Sequence, residues 1–211
     1  MTVPFPFRLY LVVSSESTLG RPLEQVVVQA VMGGVDLVQL REKGIPTPLF
    51  LERALRLREV LDRYGVPLII NDNLEVAMAV QAHGIHVGNS DVAPSYIKAK
   101  WPECKCLGRS VEYLGQLRDK ETQLADCLGI SPVFRTPTKT DTITEWGLHG
   151  LAKIRGMTDK PLVAIGNMNA TNAQEVIRAG ADCLAVVSAI CHAPDPQRAA
   201  FGIREQIEKA L

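Results

Sequence analysis

The chain has 211 residues, 46% hydrophobic and 22% charged, the mixture of an ordinary globular protein with enough length to bury a large core. Its 23 basic and 23 acidic side chains cancel, which argues against a nucleic-acid binder or a polybasic membrane anchor. No apolar run reaches membrane-spanning length and Arg8 breaks the short hydrophobic stretch near the N-terminus, so no membrane segment or signal peptide is expected, in keeping with a cytoplasmic protein.

Short apolar runs alternate with amphipathic stretches along the chain. RLYLVV (8–13) precedes the helical pattern LEQVVVQAV, DLVQL (36–40) precedes PLFLERALRLREVLDRY, and PLII (67–70) precedes LEVAMAVQA. GIHVG (84–88), KCLG (105–108) and CLGISPV (127–133) are followed by PSYIKAK, EYLGQLRDK and GLHGLAKI. LVAIG (162–166) leads to TNAQEVIRA, and CLAVVS (183–188) to PQRAAFGIREQIEKAL. Strands alternating with helices imply parallel pairing through helical crossovers. GGVDLVQL, HGIHVGN, LADCLGIS and AGADCLAVVS form a quasi-repeat on alternate strands, and glycine opens three of them as a left-handed helix cap would require. The pattern predicts an α/β fold, a (β/α)8 TIM barrel built as a single domain over 1–211, with an open doubly wound sheet as the alternative. The five cysteines are odd in number and lack metal-binding spacing, so they are expected to be reduced core residues.

A barrel of this kind carries its active site at the C-terminal ends of the strands. Gln39, Arg41 and Lys43 follow the second strand, Asn71 and Asp72 the third, Asn89 and Asp91 the fourth, and Arg109 and Ser110 the fifth. Thr136, Thr138 and Lys139 follow the sixth, Gly166 and Asn167 the seventh, and Ser188 the eighth. Asp72 and Asp91 end adjacent strands, about 4.8 Å apart, where two carboxylates can share a hard cation such as Mg2+. They can equally be N-caps of the helices that follow. Gln39, Arg41 and Lys43 alternate at period two, which turns all three toward one side, and Arg with Lys suits a diphosphate. Thr136–Lys139 sits in a long, lid-like loop or a plain proline turn, and Gly166 with Ser188 occupies the place of a monophosphate site. His86, inside the fourth strand, reads as a packed, hydrogen-bonded core residue rather than a base.

LVQLREK (37–43), PLIINDNLEVAMAV (67–80), GIHVGNSD (84–91), SPVFRTPTK (131–139), VAIGNM (163–168) and AVVSAI (185–190) together resemble the thiamine phosphate synthase family, in order and spacing, over nearly the whole chain. The resemblance implies a transferase that joins 4-amino-2-methyl-5-(diphosphooxymethyl)pyrimidine to 4-methyl-5-(2-phosphooxyethyl)thiazole, or its carboxylated form, giving thiamine phosphate and diphosphate. It implies one Mg2+ per subunit on Asp72 and Asp91. It implies that Gln39, Leu40, Arg41, Glu42, Lys43, Asn71, Ser110 and Lys139 bind the pyrimidine diphosphate, with Arg41, Lys43, Ser110 and Lys139 counted as catalytic. Thr136, Pro137, Thr138, Gly166, Val187 and Ser188 would bind the thiazole phosphate. The partners implied are these small molecules, with no nucleic acid and no membrane, and the family association suggests a homo-oligomer.

In the family's mechanism the bond to diphosphate breaks first, leaving a pyrimidine-stabilised carbocation. The thiazole nitrogen that captures it has no proton to lose, so no general base is required. The chain departs from the family pattern at Ser15, commonly aspartate, at Asn89, more often glutamine, at Arg135, frequently proline, and at Asn167, commonly a second glycine. Asn167 would narrow access to the thiazole phosphate if the position needs positive φ, although asparagine tolerates it better than most residues. The nearest rival is the related thiazole tautomerase, in which a histidine follows the fifth strand at about the place of Glu112. A non-catalytic relative would be expected to have lost Lys43, Asp72, Asp91 or Lys139. An aldolase would want a lysine inside a strand.

Overall fold

The computed structural model describes residues 5–136 and 144–211. Among these, eight parallel strands close into a barrel in chain order, the last pairing with the first. They are β1 (Leu9–Val13), β2 (Leu37–Leu40), β3 (Leu68–Asn71), β4 (Gly84–Val87), β5 (Cys106–Val111), β6 (Cys127–Ile130), β7 (Leu162–Ile165) and β8 (Cys183–Val186). Around them lie α1 (Leu23–Met32), α2 (Thr47–Asp62), α3 (Leu74–Ala79), α4 (Pro94–Lys100), α5 (Lys120–Leu124), α6 (Gly147–Arg155), α7 (Ala173–Arg178), the short α8 (Ser188–Cys191) and α9 (Pro196–Glu208).

The strands read as continuous apolar runs because both of their faces are buried. Leu11, Leu40, Ile70 and Leu107 point outward into the helix layer. Tyr10, Leu37, Ile69 and Val163 point inward and fill the barrel axis together with Cys106, Cys127 and Cys183. All five cysteines are buried free thiols, and burial holds Cys183 well above its usual pKa, as suits an inert space-filler.

The quasi-repeat has a physical basis at the opposite end of the barrel from the strand tips. Asp36, Asp126 and Asp182 each stand just before a strand and accept a backbone N–H from the strand before it. The donors are Leu9 at 3.0 Å, Leu107 at 2.7 Å and Leu162 at 2.8 Å. Each aspartate also pairs with a helix cation, respectively Arg204, Lys98 and Arg155. Gly34 (φ +103°) and Gly180 (φ +112°) take the left-handed conformation expected of them. Gly84 does not: it begins β4, and a Cβ there would stand 1.9 Å from the Cys106 carbonyl oxygen of β5. Gln81 takes the positive φ instead.

β5 continues past the expected Gly108, because Arg109, Ser110 and Val111 pair with Leu128, Gly129 and Ile130 of β6. Alternation then sends Arg109 outward to pair with Asp119 at 3.0 Å, so it does not join the rim of cations expected from the sequence. The stretch EYLGQLRDK is likewise not one helix. It forms a 3-10 turn over Leu114–Arg118, and Asp119 then caps α5 by accepting the Glu121 N–H.

Candidate active site

Two adjoining cavities open at the C-terminal mouth of the barrel, one of about 380 Å³ and one of about 110 Å³. Arg41, Ser131 and Ile165 line both. Arg41 makes no ion pair with a carboxylate among the described residues, so its guanidinium stands at the seam with its charge available to ligands on either side.

The larger cavity collects Gln39, Lys43, Asn71, Asp72, Asp91 and Ser110 from the ends of β2 to β5. Gln39 donates to the Tyr10 hydroxyl at 2.7 Å, which fixes its amide on the cavity floor. The Asn71 amide nitrogen is buried with no hydrogen-bond partner. An orphaned donor at a cavity wall carries a desolvation cost that a ligand acceptor would relieve. Ser110 Oγ lies 3.0 Å from His86 Nε2, so His86 is hydrogen-bonded as expected but faces the cavity rather than a closed core.

Neither Asp72 nor Asp91 caps a helix. Asn73 caps α3 by accepting the Val76 N–H, and the residue before α4 is Ala93. Asp72 instead occupies the left-handed region (φ +61°), with its N–H on the His86 carbonyl at 2.9 Å, a conformation that few non-glycine residues adopt. Asp91 accepts the Gly88 N–H at 2.7 Å. The two carboxylates are close enough to shift each other's titration, and Lys43 pairs with Asp72. Burial and the Asp91 contact push the Asp72 carboxyl above its usual pKa, overcoming Lys43. Burial acts upward on Asp91 too, but the neighbouring Asp72, the Gly88 N–H and Lys43 hold it below the usual range. Two neighbouring carboxylates beside a single ammonium form a site short of positive charge.

The QLREK stretch divides by its period of two. Gln39, Arg41 and Lys43 face the cavities, whereas Leu40 is fully buried against the helices. Glu42 is also buried, and its Oε1 accepts the Ser15 N–H at 3.0 Å and the Ser15 hydroxyl at 2.6 Å. Its Oε2 pairs with Arg53 of α2 at 3.2 Å. The side chains of Leu40 and Glu42 therefore brace the loop that carries Arg41 and Lys43 and do not line either cavity.

The smaller cavity is lined by Thr136, Gly166, Asn167, Val187 and Ser188. Gly166 has φ +110°, and a Cβ there would come within 2.6 Å of Pro132. Asn167 does adopt positive φ (+55°) and remains beside the cavity. Ser188 opens the single-turn α8, in which Ile190 and Cys191 donate to the Val187 carbonyl and the Ser188 and Ala189 N–H groups precede the first of these bonds. Ser14 and Ser17, in the loop after β1, also line it, with the Ser17 hydroxyl donating to the Ser14 carbonyl at 2.8 Å. Nothing in the sequence singled them out, because isolated serines carry no charge or spacing signal. Pro137, Thr138 and Lys139 lie outside the described residues. Asn89 donates to Glu112 at 2.8 Å and accepts from Gln116, so the shorter amide is turned across the mouth rather than toward the aspartates.

Among the described residues no cluster of three or more His, Cys, Asp or Glu could hold a metal. The Asp72–Asp91 pair supplies oxygen donors only, which suits a hard cation that keeps waters and takes its other ligands from substrate phosphates.

The chain is similar to known proteins over most of its length. A family model described as thiamine monophosphate synthase matches residues 9–190. The thiamine-phosphate synthase of Albidiferax ferrireducens is 48% identical over 201 residues, 95% of this chain and 92% of that one. That of Vibrio parahaemolyticus is 44% identical over 194 residues, 92% and 95% of the two chains. The solved structure of thiamine phosphate pyrophosphorylase from Pyrococcus furiosus superposes with a TM-score of 0.88 at 33% identity, covering 98% of each chain.

Proposed function

The chain belongs to the thiamine monophosphate synthase family and makes thiamine phosphate, and from that premise we propose how its two cavities divide the work. The larger cavity takes 4-amino-2-methyl-5-(diphosphooxymethyl)pyrimidine, and the smaller takes 4-methyl-5-(2-phosphooxyethyl)thiazole or its carboxylated form. The observation that carries this reading is the partition of one barrel mouth into a charged compartment and a phosphate-sized one that share Arg41.

In the larger cavity Gln39 and Ser110 hold the pyrimidine, while Arg41, Lys43 and the orphaned Asn71 amide bind the diphosphate. Asp72 and Asp91 would hold one Mg2+ per subunit. When bound, Mg2+ supplies Lewis-acid neutralisation of charge on the diphosphate. Lys43, now on Asp72, exchanges that partner for a diphosphate oxygen. Gly166, Val187, Ser188 and Thr136 hold the thiazole phosphate, with Pro137 and Thr138 assigned to the same group and Lys139 to the pyrimidine diphosphate by the family resemblance.

As the carbon–oxygen bond to diphosphate breaks, charge grows on the departing oxygens where Arg41 and Lys43 already stand. Cations fixed in advance cost no reorganisation at that moment. The carbocation left on the pyrimidine methylene is captured by the thiazole nitrogen from the neighbouring cavity. No proton is removed, and the carboxylated thiazole loses its extra group as CO2, so the site needs no base. The Asp72–Asp91 pair serves charge, not proton transfer.

The test is an assay of purified protein with both substrates, following thiamine phosphate with and without Mg2+. Product that requires Mg2+ and is lost in Asp72→Ala supports the assignment. Product formed equally well in EDTA would remove Asp72 and Asp91 from the proposed role.

A further inference from the structure

His86 stands on β4 and faces the larger cavity, but its ring does not stay over its own strand. Its register partner on β5 is Gly108, and a Cβ at Gly108 would lie 2.5 Å from His86 Nδ1. On the next strand, a Cβ at Gly129 of β6 would lie 2.9 Å from His86 Cε1. Two adjacent strands thus withhold side chains from the inner face, and the imidazole lies across both. Ser110 is two residues beyond Gly108 and so on the same face of β5, paired with Gly129 in register. The ring arrives there with Nε2 at 3.0 Å from the Ser110 hydroxyl.

A serine hydroxyl rotates freely unless a partner fixes it, and it is both donor and acceptor. One imidazole nitrogen occupies one of those functions and leaves the other for a ligand. We propose that His86 is a positioning residue for the pyrimidine diphosphate, acting through Ser110, and that Gly108 and Gly129 are the seat that lets its ring reach there. The inference rests on the placement of the pyrimidine in the larger cavity. It adds a residue that touches no reacting atom but sets the direction in which Ser110 meets the substrate. It also gives two interior glycines a reason that strand packing does not, since a glycine inside a strand weakens it.

The experiment is a double-mutant cycle on His86→Ala and Ser110→Ala, with KM and kcat for each substrate. His86→Gln is the conservative variant, whose amide can reach the hydroxyl, and thermal melts check that each variant folds. Ser110→Ala is expected to lower kcat/KM for the pyrimidine diphosphate by about tenfold or more, the size of one lost hydrogen bond to a held polar group. His86→Ala is expected to give a loss of similar size, and the double variant little more than either alone. His86→Gln restores part of the loss. KM for the thiazole phosphate stays within about twofold throughout, because His86 and Ser110 do not line the smaller cavity. Gly129→Ala, which displaces the ring without altering it, is expected to reproduce His86→Ala. Additive losses, or an unchanged His86→Ala beside an impaired Ser110→Ala, overturn the coupling alone. An unimpaired Ser110→Ala overturns the placement of the pyrimidine and the inference with it.

Discussion

At the scale of single residues, Arg41 and Glu42 show how neighbours in one motif divide between chemistry and support. Arg41 lines both cavities and meets no described carboxylate, so its loss should weaken both substrates at once. Arg41→Ala is expected to raise KM for each by about tenfold or more, the loss of a charge-assisted hydrogen bond. Arg41→Lys should recover part of this for one anion and little for both, since a point charge cannot fork between two partners. Steady-state kinetics with each substrate varied separately measure this; a change confined to the pyrimidine diphosphate would place Arg41 in one compartment only. Glu42 makes the contrasting case. Its carboxylate is buried between Ser15 and Arg53, so Glu42→Ala strands their polar groups and is expected to cost about 2 kcal/mol of stability. Urea unfolding reads that cost, and activity extrapolated to the folded fraction should fall less than in Arg41→Ala.

At the scale of elements, the aspartates of the quasi-repeat bind neighbouring strands at the end remote from the site. Asp126→Ala leaves the Leu107 N–H without its acceptor and Lys98 without its ion pair. We expect a loss of about 1–3 kcal/mol, read as a lower denaturation midpoint, with KM for both substrates unchanged. A changed KM would show that the two ends of the barrel are coupled. The same elements mark what the sequence made legible. Strand number, order and closure could be read because a strand buried on both faces must be a continuous apolar run, and eight such runs alternate with helices. The residues at the strand tips could be read because charge directly after a buried strand has few other uses. What escaped was set by register. Arg109 turned outward only because β5 extends three residues further along β6, and periodicity in KCLG carries no sign of that. Leu40 and Glu42 stand in the most informative motif yet point away from the cavities. The N-cap alternative for Asp72 and Asp91 failed because Asn73 and Ala93 take the cap positions, and an offset of one or two residues lies below what a pattern of residue types resolves. His86 was taken as core because the glycines that free its ring are 22 and 43 positions away.

At the scale of the whole molecule, the proposed site makes the mouth a place where one cation and one anionic leaving group complete each other. In the proposed site the protein offers the cation two neighbouring carboxylates, one of them paired with Lys43. Two carboxylates, one oxygen from each, are few ligands for a metal that prefers six, and Mg2+ parts with water reluctantly, so the free protein should hold it weakly. Diphosphate alone faces the same deficit from the other side, since Asp72 and Asp91 repel it and Lys43 is already engaged. Binding the two together relieves both, and linkage requires that each raise the affinity of the other by the same factor. Calorimetric titration of Mg2+ into the protein, with and without inorganic diphosphate as the probe, measures that factor after correction for the Mg2+–diphosphate complex in solution. We expect coupling of about tenfold or more, abolished in Asp91→Asn, with thiazole phosphate affinity retained in that variant because Asp91 does not line the smaller cavity. Equal Mg2+ affinity with and without diphosphate would mean that the carboxylate pair makes a metal site by itself, and the order in which substrates and cation assemble would then be unconstrained by charge.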